Sequence, residues 1–305
     1  MAATEHSGYH RPVLLGESID LLEIREGGVY VDVTFGGGGH SREILRRLSE
    51  NGRLIAFDRD ADAHLNKIED QRFELIRSDF KFIEQAFEEL GLEEVDGILA
   101  DLGISSHQID EPGRGFSFRF DSALDMRMDQ DAPLNAADVL NGYSQQELRQ
   151  VLRSYGEVRN AAAIAGSIVE QRRQAPIEST KDLERAVGAA VSAKNLSKIL
   201  TLVYQALRIE VNGELESLKS LLLAGTKLLK PGGRFSIISY HSLEDRMVKQ
   251  FFRHGNLEGE DRRDEFGRSL SPWKVVTRKA VKPSDAEIEI NPRARSARLR
   301  AAERL

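Results

Sequence analysis

The 305-residue chain contains no cysteine. Disulfides, cysteine-ligated zinc and thiol nucleophiles are therefore closed to it. No stretch approaches the ~18 apolar residues of a membrane span. The first residues, Met1-Ala2-Ala3-Thr4-Glu5-His6, lack the basic-then-apolar order of a signal peptide. These absences predict a cytoplasmic protein with no membrane partner. A positive charge balance is missing as well. The 43 Lys and Arg face 49 Asp and Glu, a formal net charge of −6, so a nucleic acid would have to meet local basic patches rather than a global field. The rest is ordinary globular composition, without internal repeats or low-complexity tracts. The length suits one large domain or two modest ones.

The first hundred residues alternate between strand and helix periods. Residues 28–34 (GVYVDVT) alternate in β-branched residues as a strand does. Four glycines follow, Gly36 to Gly39, and then a helix over 41–48 with Ile44, Leu45 and Leu48 on one face. Further strands are expected over 53–57, 73–76 and 95–100, and a helix over 83–90. This β-α-β-α rhythm implies an α/β fold, a Rossmann-like parallel sheet with helices on both faces. From about Asn135 to Glu210 the signals are helical only, beginning with a capping box at Ser144-Gln-Gln-Glu147. Helices are expected over 161–171, 181–191 and 198–211. The alternation resumes with a leucine-rich helix from Leu215 to the stop at Lys230-Pro-Gly-Gly233. A strand over 234–240 and final strands over 274–277 and 297–301 complete the pattern. The economical reading is one α/β domain, residues 1–105 and 206–305, interrupted by an inserted helical domain over 106–205.

Val31-Asp-Val-Thr-Phe-Gly-Gly-Gly-Gly-His40 puts a glycine-rich turn between a strand and a helix. Ligands of open α/β sheets bind beyond the strand C-termini at such turns. Asp58 ends the second strand, 22 residues after Gly36, a separation that suits the hydroxyls of a nucleoside ribose. A helix N-cap is the bland alternative for Asp58. Asp79-Phe80 follows the third strand, where the ring is either an adenine-packing group or ordinary core. Asp101 ends the fourth strand, at the natural switch point of the sheet.

The dinucleotide fingerprint G-x-G-x-x-G/A is broken here, because its third place falls on Ser41 or Arg42. S-adenosylmethionine carries no phosphate. It needs close backbone approach and a ribose acid, and its positive sulfonium tolerates acidic loops. Asp32, Asp58, Asp79 and Asp101 fit it better than a dianionic pyrophosphate.

An ordered set of motifs is more specific. It comprises His10-Arg-Pro-Val-Leu-Leu15, Thr34-Phe-Gly-Gly-Gly-Gly-His-Ser41, Asp58-Arg-Asp60, Asp101-Leu-Gly-Ile-Ser-Ser106, Arg114-Gly-Phe-Ser-Phe118, Leu124-Asp-Met-Arg-Met-Asp129, Tyr240-His-Ser-Leu-Glu-Asp-Arg246 and Asn291-Pro-Arg-Ala-Arg-Ser296. In these the chain resembles, over nearly its whole length, the bacterial small-subunit ribosomal RNA cytosine-N4 methyltransferase family (RsmH/MraW). The resemblance implies that Gly38, Gly39, His40, Asp58, Phe80, Asp101 and Gln108 contact S-adenosylmethionine. It also implies a helical insertion after the fourth strand, and a small-subunit (16S) ribosomal RNA or assembled subunit as substrate. Two departures are small. Gly37 replaces a residue that is often larger, and Tyr240 stands where phenylalanine is common. Many amino-group methyltransferases carry an Asp/Asn/Ser-Pro-Pro-aromatic motif after the fourth strand. Here that place reads Asp101-Leu-Gly-Ile, so the amine contacts must come from elsewhere.

The chemistry expected is methyl transfer to the exocyclic nitrogen of a cytosine. An acceptor on the amine would localise its lone pair and take the departing proton. Asp101 is the first candidate and Asp125 the second. Methylation at cytosine C5 ordinarily passes through a thiol adduct, which a cysteine-free chain cannot form. The base must leave its stack to be reached. Residues 114–120 (RGFSFRF) interleave arginines with aromatics, either as stacking planes for bases or as alternating core positions of a strand. Arg114 and Phe116 are the substrate candidates there. Asp125 and Arg127 form a polar cluster that the resemblance assigns to the pocket. His241, Glu244 and Asp245 read as a helix cap opening at Ser242 rather than a metal site, and the resemblance gives His241 a structural or substrate-facing role. Arg293 and Arg295 are phosphate-contact candidates. Arg298 and Arg300 are as well explained by a charged strand edge. No metal is expected. The competing readings are a methyltransferase acting on another RNA base or a protein, a non-catalytic RNA-binding ribosome assembly factor and, third, a nicotinamide dehydrogenase.

Overall fold

The computed structural model describes residues 12–305, so His10 and Arg11 of the first motif lie outside the described residues. Seven strands among them form one sheet: β1 (Val29–Asp32), β2 (Arg53–Asp58), β3 (Phe73–Arg77), β4 (Val95–Asp101), β5 (Leu229–Ser239), β6 (Trp273–Val275) and β7 (Arg298–Arg304). Their spatial order is β3-β2-β1-β4-β5-β7-β6. The first five pair in parallel, while β7 runs antiparallel to both β5 and β6.

The helices in chain order begin with α1 (Leu15–Leu21), α2 (Gly39–Arg47) and α3 (Ile83–Leu90). Then come α4 (Ser106–Asp110), α5 (Ala136–Gly142), α6 (Gln145–Ser154), α7 (Ala161–Gln174), α8 (Thr180–Gly188) and α9 (Ala193–Asn212). The last are α10 (Glu214–Leu228), α11 (Ser242–His254) and α12 (Asp285–Ile290). None of the described helices is long and apolar enough to cross a membrane.

Strand periodicity sorts the core into two layers. Tyr30, Leu54, Ala56 and Leu99 point to one face, where Ile19 and Leu22 at α1 and Ile44 and Leu45 of α2 cover them. Their neighbours Val31, Ile55, Phe57, Ile98 and Ala100 point to the other, against Phe87 of α3, Leu221 of α10 and Phe251 of α11. Successive side chains of a strand face opposite ways, so near-continuous apolar runs mark strands buried on both faces. The sheet is a Rossmann-like α/β sheet. β1 has β2 on one side and β4 on the other. The strand order therefore reverses beside β1, and the carboxyl ends of β1 and β4 are where ligands of open α/β sheets bind.

The chain divides into two units, one of residues up to Gly103 with Leu215–Leu305, the other Ile104–Glu214. The second boundary lies beyond residue 205 because α9 runs unbroken to Asn212 and stops only at Gly213, whose φ of +57° is left-handed. The Ile104–Glu214 unit is helical, with Leu148, Val151, Ile164, Ile168, Leu183 and Leu207 in its core.

The structure sharpens three local readings. Residues 114–120 form no strand. Phe116 is buried in the helical core, Phe118 packs edge-on against Tyr204 at 5.3 Å, and Phe120 is exposed. The cap of α11 is His241, one residue before Ser242, and Glu244 returns the bond to the His241 N–H. Finally β7 is not an edge strand, since it lies between β5 and β6. Arg300 is buried there and forms a two-pronged pair with Asp245 at 2.7 and 3.1 Å.

Candidate active site

Three strands of the parallel sheet end in an aspartate: Asp32 on β1, Asp58 on β2 and Asp101 on β4. Parallel pairing brings these ends to one side of the sheet. Between β1 and α2 the chain turns through Gly36, with a left-handed φ of +52°, and Gly38, the left-handed N-cap of α2. A Cβ on Gly36 would meet nothing within 4 Å, whereas one on Gly39 would sit 2.0 Å from Pro12 Cγ. One glycine thus faces open space and the other is a tight contact. The Gly36 N–H donates to Asp58 Oδ2 at 2.7 Å, Asn66 Nδ2 donates to the Gly36 carbonyl at 3.3 Å and Arg42 Nη1 to the Gly37 carbonyl at 2.6 Å.

Asp32 is fully buried. It accepts from Ser41 Oγ at 2.7 Å and the Thr34 N–H at 3.1 Å. Burial nevertheless pushes its carboxyl up to about 6, and nearby Asp58 adds to the rise. Asp58 is likewise raised by burial, against the N–H groups of Asp60 and Gly36 that bond it. Asp101 is raised further, to about 7, by burial first and then by the charges of Asp32 and Glu244, while a bond from Tyr240 pulls the other way.

The Asp101 N–H donates to Thr34 Oγ1 at 2.6 Å, and the Tyr240 hydroxyl donates to Oδ1 at 2.8 Å. Oδ2 lies 3.8 Å from His40 Nδ1, beyond hydrogen-bond reach. Burial holds His40 down to about 4, so the ring is neutral at pH 7, and its Nε2 lies 3.2 Å from the Val13 carbonyl. The side chain of Asp101 keeps 22% of its surface exposed, and among the described residues no donor bonds Oδ2, which is the open acceptor.

This arrangement fits S-adenosylmethionine. The open side of Gly36 leaves room for close backbone approach. Each oxygen of Asp58 accepts one N–H, and a carboxylate has about four acceptor sites, so capacity for two ribose hydroxyls remains. Asp32 and Asp101 are destabilised by burial and by neighbouring carboxylates, a field that favours a cation such as a sulfonium.

Phe80 follows Asp79, which caps a short 3-10 turn and accepts from Arg59 Nη1 and Ser217 Oγ at 2.9 and 3.0 Å. The Phe80 ring packs, half-buried, against the core layer of α3 and α10. His241 caps α11 through Nδ1, which accepts the Glu244 N–H at 3.5 Å. Arg293 and Arg295 sit on a 3-10 turn over Pro292–Ser296, the former half-buried and the latter exposed.

The remaining candidates belong to the helical unit. Gln108 is buried and closes a capping box with Ser105, whose N–H it accepts at 3.0 Å. Arg114 is buried and donates to the carbonyls of Arg127 and Met128, both at 3.1 Å. Phe116 is buried as well, so neither side chain presents an open stacking plane in this structure. Asp125, the second acceptor candidate, is paired with Arg127. Burial alone would raise it, but Arg127, bonded to both its oxygens, outweighs burial and holds it low. Arg127 spends its remaining reach on the Ala132 carbonyl at 2.8 Å. Sequence reasoning overlooked Tyr240 as a partner of Asp101. The signal was indirect: β4 and β5 are parallel neighbours with Asp101 opposite Ile238, two residues before Tyr240.

Comparison with known proteins agrees with these features. A family model described as the MraW methylase family matches residues 7–305. The chain is 54% identical over 297 residues to the ribosomal RNA small subunit methyltransferase H of Flavobacterium johnsoniae, covering 97% of this chain and 98% of the relative. Proteins of the same name from Bacteroides thetaiotaomicron and Christiangramia forsetii are each 50% identical. These alignments also cover 97% of this chain, and 97% and 98% of the respective relatives.

Proposed function

The chain belongs to the MraW methylase family, and from that premise we propose that it methylates the exocyclic N4 of a cytidine in small-subunit (16S) ribosomal RNA, in the cytoplasm. It is an S-adenosylmethionine-dependent methyltransferase. The observation that carries the acceptor chemistry is Asp101, a raised carboxylate with one bonded and one open oxygen at the switch point of the sheet.

Gly36 offers close backbone approach, Asp58 the ribose acceptors and Phe80 an apolar wall. These residues would hold S-adenosylmethionine, together with Gly38, Gly39 and His40 at the start of α2. The bound cofactor supplies an electrophilic methyl group on a sulfonium. Asp101 Oδ2 accepts a hydrogen bond from the cytosine amine, which localises a lone pair otherwise delocalised into the ring. The same oxygen takes the proton that the nitrogen loses. A base with a pKa near the working pH suits this duty, and placement of the amine supplies much of the remaining acceleration. The helical unit is assigned to substrate recognition, with Arg127 at its polar cluster. On the sheet unit His241, Arg293 and Arg295 are assigned to RNA, the arginines to phosphates.

The test uses tritium-labelled S-adenosylmethionine with small ribosomal subunits and with free RNA, both from cells lacking this protein. Digestion should return the label in N4-methylcytidine at one site. Label in another nucleoside or in protein, or no label from protein that binds the cofactor, would overturn the assignment.

A further inference from the structure

Asp101 has two oxygens in unequal surroundings, and the inequality is made by one residue. Tyr240 is held at three points. Its N–H donates to Glu244 Oε2 at 2.9 Å, within the cap of α11. Its ring lies against Gly103, where a Cβ would come within 3.3 Å of Cδ2 and where φ is +102°. Its hydroxyl donates to Asp101 Oδ1 at 2.8 Å. The parallel register of β4 and β5, Asp101 opposite Ile238, sets these residues side by side.

We propose that Tyr240 is a positioning residue for Asp101: by donating to Oδ1 it fixes the carboxylate plane and leaves Oδ2 as the oxygen that meets the substrate amine. The choice of oxygen rests on the acceptor role given above to Asp101; the positioning itself rests on the hydrogen bond alone. A phenylalanine would keep the ring packing on Gly103 and lose only the hydroxyl. Among the described residues, the groups that face Asp101 are Tyr240, His40 on α2, Asp32 on β1 and Glu244 on α11. Glu244 and Glu287 of α12 face the Tyr240 hydroxyl as well. The tyrosine is the one among them that donates to the carboxylate, so its hydroxyl favours the ionised form.

Tyr240→Phe is the test, with two readouts. The first is the titration of the Asp101 side chain itself, followed by carbon-13 NMR of the labelled carboxyl group in the otherwise intact protein. Its midpoint should move up by about one pH unit, the scale of one lost hydrogen bond to a charged group. The second is turnover at saturating cofactor and RNA across pH. The acid limb should move the same way, so that turnover falls about tenfold at pH 6.5 and far less at pH 9. An unchanged Asp101 midpoint would overturn the proposal. So would a loss of turnover that is uniform in pH and tracks a lowered melting temperature, because that pattern belongs to lost packing. Incorporation of 3-fluorotyrosine, a stronger donor of nearly the same shape, should move the midpoint down. The carboxyl titration decides the role of Tyr240 even if Asp101→Asn keeps its turnover, which would sink only the acceptor role.

Discussion

Asp101→Asn should make the protein more stable and less active, and the stability gain should grow with pH. In the fold the carboxyl is raised from 3.8 to about 7. Below pH 3.8 it is protonated in both folded and unfolded chains. Between the two values the folded protein holds a proton that the unfolded chain has released, so stability falls as pH rises through this window. Above pH 7 the carboxylate is ionised against burial, Asp32 and Glu244. Asparagine has no such dependence, and its amide oxygen still accepts from Tyr240. About two pH units of the window lie above pH 5. At about 1.4 kcal/mol per unit the advantage of the variant should grow by about 3 kcal/mol between pH 5 and pH 8. Urea unfolding of both proteins at the two pH values measures it. Turnover should fall about 100-fold or more, the lower end of what a positioned base contributes. An advantage that stays constant with pH would refute the electrostatic reasoning. Turnover near wild type at saturating cofactor would refute the chemical role.

Asp58→Ala should weaken S-adenosylmethionine binding about 30-fold or more, the scale of losing hydrogen bonds made to a charged group. Asp58→Asn, which keeps one acceptor oxygen for the Gly36 N–H, should lose less; calorimetry on the protein without RNA reads both, and affinity within threefold of wild type in Asp58→Ala would remove Asp58 from the site. Gly36→Ala and Gly39→Ala should separate two uses of glycine. The first places its Cβ in open space at a φ of +52°, costing about 1 kcal/mol of folding stability but a larger share of cofactor affinity. The second drives its Cβ into Pro12 and should cost about 2 kcal/mol of stability or more, as thermal unfolding alongside the same calorimetry would show.

What was legible in the sequence follows from how local each cause is. Asp58 and Asp101 could be placed because an apolar strand that stops at a carboxylate marks its own end, and parallel pairing then brings such ends together, whereas the first strand was expected to run on to Thr34, past Asp32, where β1 ends. The glycine loop was legible for the same reason, since a left-handed turn needs glycine whatever surrounds it. Residues 114–120 stayed ambiguous because alternating phenylalanines look the same whether a strand or a helical core buries them. The choice was made by the helices of that unit further along the chain, among them α9, whose Tyr204 meets the Phe118 ring. The arginines of β7 misled in the opposite sense. Charges on a strand suggest an edge, but Arg300 has Asp245 as a partner 55 residues away, and a paired charge is compatible with an interior strand. Tyr240 and Asp101 are 139 residues apart. Neither residue type nor spacing connects them, and the link appears only once β5 is known to lie beside β4. The residue that distinguishes the two oxygens of the proposed base was therefore hidden by strand order. The base itself, which needs only a strand end, was not.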